Sequence, residues 1–137
     1  MKIAINGFGR IGRAVFRLLN DRPGVDIVAV NDIADPQALA YLLRHDTVMG
    51  QFKGIAEVTG DIMKTRHQTV KMTAIPEVAQ LPWKELGVDF VVEATGRFRK
   101  KDQIAVHIAA GARKVLLTVP AKDEIDATIV VGVNNEE

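Results

Sequence analysis

Short apolar runs alternate with stretches of helical periodicity along most of the chain. Lys2–Asn6 is an apolar run that predicts a strand. Arg10–Asp21 follows, with Ile11, Val15, Leu18 and Leu19 spaced to share one buried helical face, and Asp21-Arg22-Pro23-Gly24 breaks the pattern. Asp26–Asn31 is β-branched and nearly all apolar, as expected of a strand covered on both faces. A helix is predicted from Pro36 to about Arg44, with Asp35 as its N-cap and Pro36 at its first position. Between about Gln51 and Thr73 the pattern changes. Gly54, Gly60 and the alternation Thr69-Val70-Lys71-Met72-Thr73 predict one or two antiparallel hairpin strands. Further on, Leu81–Leu86 reads as a short helical turn anchored by Trp83. Val88–Ala94 reads as a strand, Lys101–Ala110 as a helix closed by Gly111, and Lys114–Val119 and Ala127–Val133 as two more strands.

Strands that alternate with helices at this spacing are βαβ units, so the expected fold is α/β: a doubly wound, mainly parallel Rossmann sheet with a small antiparallel hairpin insertion. The 137 residues suit one domain, 1–137, and neither linker nor repeat divides them.

The first strand runs into Gly7-Phe8-Gly9-Arg10-Ile11-Gly12, a G-x-G-x-x-G between a strand and a helix. In a dinucleotide site Gly7 permits the tight turn, Gly9 clears the approach of a pyrophosphate to the backbone, and Gly12 lets the helix pack close to the sheet. The helix would then aim its free N–H groups and positive dipole end at the phosphates. Three glycines alone are a weak signal. Asp32 strengthens it, because it ends the next strand at about the 20-residue separation expected of a carboxylate that accepts from ribose hydroxyls. A carboxylate there repels a 2′-phosphate, so NAD is expected over NADP.

Composition narrows the chemistry further. A net charge of +1 creates no field that would recruit nucleic acid or a membrane surface. The basic run Arg97-Phe98-Arg99-Lys100-Lys101 has no second basic cluster beside it, and a solvated turn is the simpler expectation. There is no cysteine, which removes disulfides, thiolate metal sites and thiol catalysis from these residues. His45, His67 and His107 show no metal-ligand spacing, so surface or structural roles are expected and no metal site is assigned. Arg44 and Asp46 are expected to form a local ion pair. With no leader pattern and no long apolar segment, a cytoplasmic protein without a membrane anchor is expected.

Asn6-Gly7-Phe8-Gly9-Arg10-Ile11-Gly12-Arg13 resembles the opening signature of the glyceraldehyde-3-phosphate dehydrogenase family. Val30-Asn31-Asp32, Leu42–Gly50, Glu93-Ala94-Thr95-Gly96-Arg97-Phe98, Gly111–Val115, Pro120–Asp123 and Ile129–Asn134 agree with it in order and spacing. The resemblance implies that backbone groups of Arg10 and Ile11 meet the pyrophosphate, and that Asn31 and Asp32 lie at the adenosine ribose. It implies too that Thr95 and Gly96 border the cofactor and that Thr118 approaches the nicotinamide. Two positions depart from the family pattern: Met49 stands where a histidine is usual, and Pro76 where an arginine near the adenine is common. The implied activity is NAD-dependent, phosphorylating oxidation of glyceraldehyde 3-phosphate by a homotetramer, with the aldehyde and inorganic phosphate as substrates. The family's catalytic cysteine and histidine would follow Asn134, so no catalytic residue is expected in this chain, which alone should be inactive. Erythrose-4-phosphate dehydrogenase and a non-catalytic nucleotide-binding module are the alternatives.

Overall fold

The computed structural model describes residues 1–136; Glu137, the last residue of the expected domain, lies outside the described residues. In chain order the elements are β1 (Lys2–Asn6), α1 (Arg10–Leu19), β2 (Asp26–Asn31), α2 (Pro36–Arg44), β3 (Ala56–Thr59), β4 (Ile62–Thr65) and β5 (Thr69–Thr73). A 3-10 turn (Val78–Gln80) leads to α3 (Trp83–Leu86), β6 (Phe90–Glu93), α4 (Lys101–Ala109) and β7 (Lys114–Leu117). One sheet holds all seven strands in the order β3-β4-β5-β2-β1-β6-β7.

Five neighbouring strands, β5, β2, β1, β6 and β7, run parallel. Strand order reverses at β1: the chain first builds outward through β2 and later returns to β1's other side with β6. This is a topological switch point, where the carboxyl ends of the strands open a crevice. The Gln51–Thr73 region differs from expectation in one respect. It holds three strands, in which β4 pairs antiparallel with both β3 and β5. β5 pairs in parallel with β2, so the hairpin extends the main sheet rather than standing beside it.

Side chains alternate between two cores, one per face. Ile3, Ile5, Ile27 and Val30 pack with Phe8, Phe16, Leu39 and Leu43 beneath α1 and α2. Ala4, Ala29 and Val91 pack with Val78, Leu81, Trp83 and Val88 on the α3–α4 side. The three-residue gap between Ile27 and Val30 would put them on opposite faces of a regular strand. A register shift between Ile3 and Ala4, which pair with Ile27 and Ala29, returns Val30 to the same face.

α1 buries a different stripe from the one its apolar residues suggest. Gly12, Arg13 and Phe16 are buried, Val15 and Leu19 partly so, whereas Ile11 and Leu18 are exposed (53% and 76%). The rotation follows from Gly12: the helix meets the sheet where it has no side chain, which turns Phe16, one turn on, inward to Phe8 at 5.5 Å between ring centroids. Asp35 caps α2 as expected, its carboxylate accepting from the Ala38 N–H at 2.9 Å.

Two further expectations fail. Ala127–Val133 is not a strand. Ile129, Val130, Val131 and Val133 are all exposed and pair with no strand among the described residues; the Asn134 side chain instead bridges the Val130 N–H and the Thr128 carbonyl in a local turn. Apolar β-branched composition cannot make a strand without an edge to pair with. Nor do Arg44 and Asp46 pair. Arg44 donates to the Ala56 carbonyl at 2.7 Å, and Asp46 accepts the Val48 and Met49 N–H groups at 2.8 Å each, so backbone partners take both charges. Those N–H groups, Met49 first, hold the Asp46 carboxyl below its usual range.

Candidate cofactor-binding site

The glycine loop leaves β1 at the switch point. Gly7 has φ +91°, and a Cβ on it would lie 2.6 Å from the Thr95 nitrogen; a Cβ on Gly12 would lie 2.1 Å from the Gly7 carbonyl oxygen. Both positions require glycine for the fold itself. Gly9 is different: a Cβ there would meet no protein atom within 4 Å. Internal packing does not ask for glycine at position 9, which leaves access from outside as the reason for it. Gly9 is also the N-cap of α1, whose first turn contains no acidic side chain, so no carboxylate of that turn offsets the helix's positive end.

Asp32 follows β2 directly. Its carboxylate accepts from the Phe8 N–H at 2.7 Å and the Ala34 N–H at 3.0 Å, one on each oxygen. A carboxylate has about four acceptor positions, so roughly two remain. The Phe8 bond clamps the glycine loop to the second strand and turns it toward the crevice.

A cleft of about 240 Å³ opens here, and Gly7, Gly9, Asn31, Asp32 and Thr95 among the predicted residues form part of its wall. The remaining five do not line it. Arg10 and Ile11 are exposed on the first turn of α1, and Gly12 is buried behind the loop. Gly96 is exposed next to Thr95, while Thr118 is partly buried at the exit of β7. Asn6, Ile33, Ile75, Pro76, Ala94, Arg97 and Phe98 complete the wall without having been predicted as site residues. Their signal was position: each lies at or just beyond the carboxyl end of a parallel strand, where such folds collect ligands. Pro76 and Phe98 also line an adjoining hollow of about 160 Å³, giving two apolar surfaces at one end of the cleft. The Pro76 departure thus lies in the wall, whereas Met49 lies in the turn after α2.

Beneath the cleft lies a buried polar chain. Glu93, the last residue of β6, is fully buried. Its Oε2 accepts from the Asn6 amide at 2.7 Å and from His107 Nε2 at 2.8 Å, and its Oε1 accepts from the Thr95 N–H at 2.9 Å and from the Thr95 hydroxyl. Burial works to raise the Glu93 carboxyl, but these bonds from His107, Thr95 and Asn6 together outweigh it and hold the carboxyl below its ordinary value. Trp83 Nε1 donates to His107 Nδ1 at 3.0 Å. An indole N–H only donates, so Nδ1 accepts and the ring proton sits on Nε2, directed at Glu93. On the other side Asn6 accepts from Asn31, whose own oxygen accepts from the Thr73 hydroxyl and the Ile75 N–H.

The other histidines have local roles: His45 stacks on Tyr41, and His67 lies 3.6 Å from Asp21 at the surface. Two residues of the basic run are tied to the segment after β7, Arg99 donating to the Pro120 carbonyl and Lys101 paired with Asp126 at 3.1 Å.

A parallel sheet with a switch point, a glycine loop entering a helix and an acidic residue ending the second strand define a dinucleotide-binding domain of the Rossmann class. Its relatives make the class specific. The family described as glyceraldehyde 3-phosphate dehydrogenase, NAD binding domain, matches residues 1–101, and the chain belongs to that family. Among similar curated proteins, the glyceraldehyde-3-phosphate dehydrogenase of Thermotoga maritima is 46% identical over 138 residues, covering 99% of this chain. Those of Streptomyces coelicolor and Geobacillus stearothermophilus are 48% and 45% identical, each covering 100% of it. The chain spans 41% of the length of each of these relatives. The cofactor of the domain is NAD. No helix among the described residues is long and apolar enough to cross a membrane.

Proposed function

We propose that this chain is the cofactor-holding part of an NAD-dependent, phosphorylating glyceraldehyde-3-phosphate dehydrogenase. The observation that carries the reading is the pairing of the glycine loop with Asp32, clamped together at the switch point by a 2.7 Å bond. The residues suit NAD. Gly9 leaves the loop open to a pyrophosphate, helped by the backbone N–H groups at Arg10 and Ile11, with Gly7 and Gly12 supplying the turn and the close packing. Asp32, beside Asn31, keeps roughly two acceptor positions for the adenosine ribose hydroxyls. Pro76 and Phe98 offer apolar faces for an adenine, and Thr95, Gly96 and Thr118 line the path toward the nicotinamide. When bound, NAD supplies the acceptor for a hydride; these residues bind and orient it and hold no nucleophile, since the chain has no cysteine.

On this reading the aldehyde, inorganic phosphate and homotetrameric assembly belong to the whole protein, in the cytoplasm, and the 137 residues alone do not catalyse. NADH formation from glyceraldehyde 3-phosphate and phosphate tests this, run on the product of the complete reading frame and on the 137-residue chain in parallel. Turnover by the former and none by the latter is expected. Absence of turnover by the complete product overturns the assignment, and faster turnover of erythrose 4-phosphate replaces the substrate.

A further inference from the structure

One carboxylate gathers the walls of the cleft. The Glu93 side chain takes donors from Asn6 at the end of β1, from Thr95 just past the end of β6 and from His107 on α4. Its backbone carbonyl takes both the N–H of Thr118, at 3.2 Å, and the Thr118 hydroxyl, at 3.1 Å. Asn6 in turn holds Asn31. Four residues at the exits of β1, β2, β6 and β7 are therefore fixed relative to one another through a side chain that is itself out of reach of solvent. An apolar strand end would suffice if the position only filled space, and a buried charge is costly unless every acceptor position is used.

We propose that Glu93 is the positioning residue of the NAD site, held in orientation from behind by the His107–Trp83 pair. The claim deepens the cofactor assignment above and rests on it. Glu93 has no exposed surface for a cofactor to touch; it sets where Thr95, Asn6 and Thr118 stand. Trp83 fixes the His107 tautomer, so that an N–H rather than a lone pair faces the carboxylate. A glutamine in place of Glu93 has nearly the same shape but offers one carbonyl and one NH2 group. Three of the four donors around Glu93 are N–H groups that cannot turn acceptor, one of them approaching Oε1 and two Oε2. At least one must then face an NH2, whichever way the amide is turned.

The test is calorimetric titration of the 137-residue chain with NAD, for wild type, Glu93→Gln and Trp83→Phe, at a temperature where melting curves show each fully folded. Glu93→Gln should weaken NAD by about tenfold or more, and Trp83→Phe by about two- to fivefold. Folded variants that bind NAD as wild type does would reduce Glu93 to a structural residue and overturn the proposal. If Glu93→Gln does not fold, Trp83→Phe and the nitrogen-15 spectrum of wild-type His107 decide. A proton on Nε2 together with the weaker binding supports the proposal, and a proton on Nδ1 or unchanged binding overturns it. A wild-type chain that binds no NAD overturns the cofactor reading and this proposal with it. Wild-type binding that neither variant alters overturns the positioning role alone.

Discussion

Replacing Asp32 separates two jobs that the structure gives to one carboxylate. As a loop clamp it accepts from the Phe8 and Ala34 N–H groups, and as a cofactor ligand it has roughly two acceptor positions left for hydroxyls. Losing a charged acceptor for ribose hydroxyls costs about 1.5–3 kcal/mol, a roughly ten- to hundredfold loss of NAD affinity. The Phe8 and Ala34 N–H groups lose the same charged acceptor, at about 1.5–3 kcal/mol of loop stability for each bond, and a loosened loop weakens NAD and NADP alike. NADP gains something back, because the repulsion between Asp32 and its 2′-phosphate also disappears. In Asp32→Ala, NAD affinity should therefore fall by about ten- to a hundredfold or somewhat more, while NADP changes far less and can even improve. Asp32→Asn, which keeps one acceptor for the loop, should show the same change in preference with a smaller loss common to both. Calorimetric titration of wild type and both variants with both cofactors measures this. Equal losses for NAD and NADP would leave only the clamp and refute recognition of the ribose.

The glycines separate in a similar way. Gly12→Ala drives a Cβ to 2.1 Å from the Gly7 carbonyl and should cost about 1–3 kcal/mol of stability or more, read as a lowered melting temperature. Gly9→Ala meets no protein atom; it should change stability by less than about 1 kcal/mol yet weaken NAD binding. The face of α1 can be checked by Phe16→Ala, expected to destabilise by about 3–5 kcal/mol, against Leu18→Ala at less than about 0.5 kcal/mol, by denaturant titration. The lowered Glu93 carboxyl also predicts a pH dependence. Its contribution to stability is fully present above the unfolded-state value of about 4.5 and is lost as pH falls through the lower folded value. Wild-type melting temperature should drop through that acidic window, and Glu93→Gln should flatten the drop.

Much of the framework was legible in the amino-acid pattern because it depends on local chemistry. β-branched runs marked β1 and β2, Asp35-Pro36 marked the start of α2, and the glycine spacing with Asp32 marked the phosphate loop. What escaped notice depends on partners far away in the chain. Ala127–Val133 has strand composition but no paired edge, and the Thr69–Thr73 alternation does not reveal that β5 joins β2. Ile11 and Leu18 look like core residues until Gly12 sets the rotation of α1. Glu93 carried a signal that could have been used: a carboxylate ending the apolar run Phe90-Val91-Val92 must find several donors if it is buried. Those donors, Asn6, Thr95 and His107, come from three elements, and only the fold shows that they meet.

The most direct test of the account is an NMR titration of the 137-residue chain with NAD, following each backbone amide. The account predicts saturable shifts concentrated at Gly7–Gly12, at Asp32 and Ile33, and at Thr95–Phe98, with the β3–β4 hairpin unchanged. No saturable shift, or shifts centred on that hairpin and away from the switch point, would contradict it.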